Sequence, residues 1–170
     1  MLFKRRPREE EPPAAADVPK QAATERPPVL RDELGLCPLW YLELRLKEEL
    51  TRAARGATIF SVAAWEPRLL PGDEPDPGIM ARAAGFIAGK LRSYDLVSRT
   101  DERRYVALLL DADYHHASTV AYRLKADIQV LIPRAGKWRA GVATYGRDGV
   151  DVDGLIQVTM RRLEDDAAAA

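Results

Sequence analysis

Leu39, Leu42, Leu46 and Leu50 recur at helical spacing with charged residues between them, and the pattern closes on Arg55 and Gly56. A first helix of about four turns, ended by the glycine, is predicted there. The stretch TIFSVAAW, residues 58–65, abandons that period. It is short, apolar, partly β-branched and bounded by glycine and proline, the signature of a central strand. EPRLLPGDEPDPG, with its four prolines, is a loop. Ile79, Ala83, Phe86, Ile87 and Leu91 then mark one face of a second helix. Residues 95–99 and 105–110 are two strands joined by a turn at 100–102, a hairpin. A third helix covers 114–131 with Ala117, Val120, Ala121, Leu124 and Ile128 as its stripe. Residues 138–145 form a further strand, and Leu155, Ile156, Thr159 and Leu163 line a closing helix that frays into the terminal alanines.

The order helix, strand, helix, hairpin, helix, strand, helix predicts an α+β domain. It is ferredoxin-like, with an antiparallel-rich central sheet covered on one side by helices. The domain is expected over residues 31–166, with a short frayed alanine tail at 167–170. Residues 1–30 are rich in proline, alanine and charge with little to bury, so a disordered tail is expected there.

A chain of 170 residues suits one ordinary domain plus a tail. Its 26 basic and 26 acidic side chains balance, so there is no overall field to collect nucleic acid and any charged site must be local. Cys37 is the single cysteine, which excludes an internal disulfide and a thiolate metal cage; it is read as a small buried or half-buried hydrophobe in a reducing compartment. No run approaches the roughly 20 apolar residues that cross a bilayer, and MLFKRR has no apolar core behind it. A cytoplasmic protein without stable membrane insertion is expected. The basic cluster Lys4, Arg5, Arg6 and Arg8 is answered at once by Glu9, Glu10 and Glu11, the pattern of a solvated tail.

Two apparent motifs carry no chemistry. GFIAGK, residues 85–90, is one residue short of a phosphate loop, lacks the Ser or Thr after lysine, and lies within a helical pattern. His115 and His116 are neighbours on a helix and point in different directions, so they cannot share a metal; both are read as solvated. The hairpin is different, because Arg103 and Arg104 stand where its turn hands over to an apolar strand. They are either tolerated on an exposed turn and offset by Asp101 and Glu102, or they form a surface for a partner or an anionic ligand.

RSYDLVSRTDERRYVALLL, residues 92–110, resembles without a gap the hairpin of the GGDEF domains, Arg-x-x-Asp-x-x-x-Arg-x-Gly-Gly-Asp-Glu-Phe followed by an apolar strand. GVATYGRDGVDVDGL resembles the family's Gly-Val-Ala stretch and its acidic loop before the last helix. DELGL is similar to a shortened Asp-x-Leu-Thr-Gly-Leu entrance, and LRLKEELTRAARG to the leading helix. The likeness runs from about Asp32 to Leu163. It implies the nucleotidyl-cyclase-like fold of diguanylate cyclases, which join two GTP molecules into cyclic di-GMP.

The departures from the family pattern imply lost catalysis. Asp101 and Glu102 fall on the family's two glycines, Arg103 and Arg104 on its acidic pair, and Tyr105 on its phenylalanine. Arginine has no lone pair for a metal. The other metal carboxylate falls on Ala64, with Glu66 the candidate if the register slips. The family's Phe-Lys and Asn-Asp elements and its closing lysine are absent, so neither catalytic residues nor a bound metal is expected. What the resemblance retains is the product-binding site. Arg92 and Asp95 stand on its Arg-x-x-Asp, Arg123 on the assisting arginine of the next helix, and Arg99 adds a positive charge nearby. The expectation is a catalytically inactive receptor for cyclic di-GMP. The alternative is a ligand-independent protein–protein interaction module. A protein partner and a ligand-driven homodimer accord with the family's habit of binding a stacked dinucleotide pair across two surfaces.

Overall fold

The computed structural model describes residues 30–56, 58–70, 72–132 and 137–168. Apart from Leu30, the tail expected at 1–30 lies outside the described residues, as do residues 169 and 170 of the alanine tail. The elements are α1 (Leu39–Ala54), β1 (Phe60–Pro67), α2 (Pro77–Lys90), β2 (Leu96–Arg99), β3 (Tyr105–Leu110), α3 (Tyr114–Leu131), β4 (Trp138–Thr144) and α4 (Val152–Ala168). The four strands form one antiparallel sheet in the order β2-β3-β1-β4. The predicted α+β architecture is therefore present, with α4 running further into the terminal alanines than expected.

Two details differ from expectation. β1 begins at Phe60 and continues through Glu66 to Pro67. Its pairing with β3 stops at Trp65↔Tyr105, while pairing with β4 carries on to Pro67↔Trp138. Beyond Trp65 the strand is thus paired on one side only, where a proline is tolerated. Helices also cover both faces of the sheet, not one. Ala63 and Trp65 join the core made with Met80, Ile87, Ala121 and Leu124 of α2 and α3. Phe60, Val62 and Ala64 point the other way, into a second core with Leu42 and Leu46 of α1 and Leu155 and Leu163 of α4. A strand buried at all eight positions needs apolar cover on each side, which is why its sequence shows no alternation.

Local chemistry fixes the helices that frame the site. Asp76 caps α2 by accepting from the Gly78 and Ile79 N–H groups, with Pro77 in the first turn. Asp113 caps α3 by accepting from His116 N–H at 2.8 Å. On β4, a Cβ at Gly141 would lie 2.2 Å from the Thr159 carbonyl oxygen, so only glycine lets the α4 backbone rest directly on the strand.

Candidate functional site

The turn between α2 and β2 is built around a buried carboxylate. Asp95 accepts from the Arg92 N–H through Oδ2 and from the Leu110 N–H through Oδ1, both at 3.1 Å, so it ties the turn to the end of β3. Burial pushes its carboxyl above the usual value of 3.8, while the N–H groups of Arg92 and Leu110 pull it back. Each oxygen keeps a second lone pair, but the first task of Asp95 is to hold the backbone. Arg31 secures the same turn from outside. Its Nη2 donates to the carbonyls of Ser93 (3.0 Å) and Asp95 (2.6 Å), and its Nη1 donates to Gly35 O at 2.8 Å. The entrance loop beneath it is set by Asp32, whose Oδ1 accepts from Leu34 and Leu36 N–H, and by Gly35 at φ +83°.

Against this turn lies a pocket of about 200 Å³ whose polar walls are Lys90, Arg92, Asp95, His116 and Arg123. The structure therefore brings together Arg92, Asp95 and Arg123, three residues from two separate segments. Arg92 and Arg123 are exposed. The Arg92 guanidinium is held at the mouth: Nη1 donates to the Tyr94 hydroxyl at 3.0 Å, and Nη2 lies 2.9 Å from His116 Nε2. Arg99 is not part of this group. It sits at the far end of β2 and donates to the backbone carbonyls of Asp101 and Glu102 in the hairpin turn.

His116 was read as solvated, and it is exposed, but it also bonds Arg92 and lines the pocket. Its spacing carried a signal: His116, Val120 and Arg123 are four and seven apart, one face of α3. Arg31 was missed as well, because its partners are backbone carbonyls more than sixty residues away.

The hairpin tip answers the question of the two arginines differently for each. Asp101 Oδ1 accepts from the backbone N–H groups of Arg103 and Arg104, giving a closed turn from which Glu102 and Arg103 project into solvent. Arg104 turns inward. Its Nε donates to Glu66 Oε2 at 2.7 Å, and Arg139 pairs with the other oxygen, Oε1, of the same buried carboxylate. Asp101 lies 3.6 Å from Arg104 Nη1 and completes the cluster. Arg104 is thus neither idle on an exposed turn nor free for a partner. Ala64 is fully buried between Val106 and Gly141 and offers no side-chain oxygen. Tyr105 is buried too; its hydroxyl donates to Met80 O at 2.6 Å, and burial pushes its pKa up to about 12 against the opposing charge of Arg99. A broad groove of about 750 Å³ opens beside Arg104 between α1 and α4, lined by Leu39, Leu46, Ile156 and Met160.

No protein-family model matches the sequence, and comparison with curated proteins finds no match. Solved structures do match. The diguanylate cyclase SiaD of Pseudomonas aeruginosa, solved with its activator SiaC, is 22% identical with a TM-score of 0.69; the match covers 82% of this chain and 58% of SiaD. The active GGEEF domain of a Vibrio cholerae diguanylate cyclase is 12% identical over 79% of this chain and 93% of its own, with a TM-score of 0.70. The GGDEF domain of DgcB from Caulobacter crescentus, in complex with c-di-GMP, is 14% identical over 82% and 91%, with a TM-score of 0.66. The fold of this chain is that of the GGDEF domains.

Proposed function

We propose that this domain binds cyclic di-GMP without making it. One observation carries the reading: Arg92 and Asp95, from the turn after α2, and Arg123, from α3, line a single pocket. A guanidinium fork matches the acceptor edge of guanine, and two arginines beside a pair of phosphodiesters supply charge-assisted bonds. Lys90 adds a further cation to the same walls.

The hairpin side supports the absence of synthesis. Phosphoryl transfer depends on positioned positive charge held by oxygen ligands, above all divalent metal on the triphosphate. The donor set at the corresponding place does not fit such an ion. Ala64 has no side-chain ligand atom, each oxygen of Glu66 is already paired with a guanidinium, of Arg104 or Arg139, and the Arg103 side chain has no lone pair to give. No step of a cyclase reaction is assigned to these residues.

Calorimetric titration with cyclic di-GMP tests the receptor. A micromolar binding heat is expected in the parent, weakened at least tenfold in Arg92→Ala and in Arg123→Ala, since each removes a charged hydrogen-bonding group from the ligand. No heat at millimolar ligand overturns it. Incubation with GTP and magnesium is expected to yield no cyclic dinucleotide, and scattering with and without ligand reports whether a second copy joins.

A second reading, a protein–protein interaction module, is favoured by the groove between α1 and α4, whose walls are largely apolar. Under that reading the ligand titration is silent and substitutions along the groove, not at the pocket, abolish partner capture.

A further inference from the structure

We propose that His116 is a ligand-recognising side chain of the Arg92 pocket and makes its affinity for a guanine-bearing phosphodiester depend on pH. The proposal rests on the receptor reading above and adds a residue and a control to that site.

The geometry fixes the protonation pattern. Every nitrogen of an arginine is a donor, so the 2.9 Å contact from Arg92 Nη2 requires a lone pair on His116 Nε2. In this arrangement the imidazole is neutral and carries its hydrogen on Nδ1. The other outer nitrogen of Arg92 is spent on Tyr94. Both arms that would grip a base edge or a phosphate are therefore turned toward protein partners, which a ligand must replace.

A proton on Nε2 reverses the contact. The imidazolium cannot accept from Arg92, so the guanidinium is released, and a new donor with positive charge faces the pocket. Histidine is the side chain that makes this change between about pH 5 and 8. Lys90 from α2, Arg92 from the following turn and Arg123 from α3 share the pocket with it. The carboxylates are Asp95, whose oxygens are bonded to backbone N–H groups, and Asp113, which takes the His116 N–H. β3 supplies only Leu109 and Leu110 to this wall. A protonated His116 thus joins Lys90, Arg92 and Arg123, which outnumber the Asp95 carboxylate beside them in the free protein, and gains further anionic partners when two phosphodiesters enter. Ligand binding and proton uptake then favour each other by the same factor.

The experiment is titration of the full chain with cyclic di-GMP at about pH 6 and about pH 8, in two buffers of different ionisation enthalpy. The parent is expected to bind about tenfold tighter at the lower pH, with net proton uptake. His116→Gln, which can still accept from Arg92 but does not titrate, is expected to bind with one affinity at both pH values and take up no proton. His115→Gln is expected to keep the parental slope. Binding of equal strength at both pH values in the parent, or a slope that survives in His116→Gln, overturns the role of His116 while leaving the receptor intact. Absence of binding at both pH values overturns both.

Discussion

Glu66 shows how one side chain can redirect a surface. Its carboxylate is almost wholly buried, and the two guanidinium groups that neutralise it, on Arg104 and Arg139, remain partly exposed. The energetic burden is asymmetric. Arg104→Ala leaves a buried charge with half its compensation, and a loss of about 2–3 kcal/mol in a urea unfolding midpoint analysis is expected. Glu66→Gln removes the buried charge itself and leaves arginines that water can reach, so its loss is expected to be the smaller of the two. The reverse order would show that Glu66 is solvated in solution. The sequence located Arg104 on the hairpin and flagged Glu66 just past the predicted strand, but it could not join them. Their meeting depends on the Trp65↔Tyr105 register, which no local pattern encodes. His116 was legible in spacing yet passed over, because the pairing of two adjacent histidines drew attention to metal geometry and away from the face shared with Arg123.

At the level of elements, the junction of β4 and α4 carries the sharpest constraints. Gly141→Ala would force a methyl group into the Thr159 carbonyl and the Leu163 N–H, and a destabilisation beyond about 3 kcal/mol is expected, with loss of the cooperative thermal transition in the worst case. Asp148 secures the loop between the same two elements, accepting from both outer nitrogens of Arg162 and from Thr144 N–H. Burial alone would raise its carboxyl, but the bonds from Arg162 and Thr144 outweigh that and hold it below the usual 3.8. The folded state therefore binds fewer protons there than the unfolded chain. Its stabilisation is present above 3.8 and disappears as pH falls through the lowered folded value. Asp148→Asn is accordingly expected to be less stable than the parent at neutral pH, with the gap narrowing in acid. Helix α3 and strand β3 were read from sequence with their observed bounds, because apolar stripe and turn signals coincide at their ends. β1 was displaced by two residues, since a proline looks like a stop wherever only one neighbouring strand remains.

Across the whole molecule, the order of elements was enough to read the fold, because helical and extended periods alternate cleanly along the chain. The second helical layer was not, because an unbroken apolar run such as TIFSVAAW says that a strand is buried without saying how many layers bury it. The pocket was half legible: Arg92, Asp95 and Arg123 came from a family pattern, while the residues that hold them in place are joined only by folding. Arg31 is the plainest of these. It grips the backbone of Ser93 and Asp95 with one nitrogen and its own entrance loop with the other, one residue after the described chain starts at Leu30. Tension applied through Leu30 would reach the Arg92–Asp95 turn through the Arg31 guanidinium, beside the Cys37 N–H bond to Val97 O on β2, and stiffening that turn would tighten the anchorage in return. The domain is in this sense sprung at its doorway, and Arg31→Ala, which removes the bonds at both ends, is expected to loosen the entrance loop from the turn.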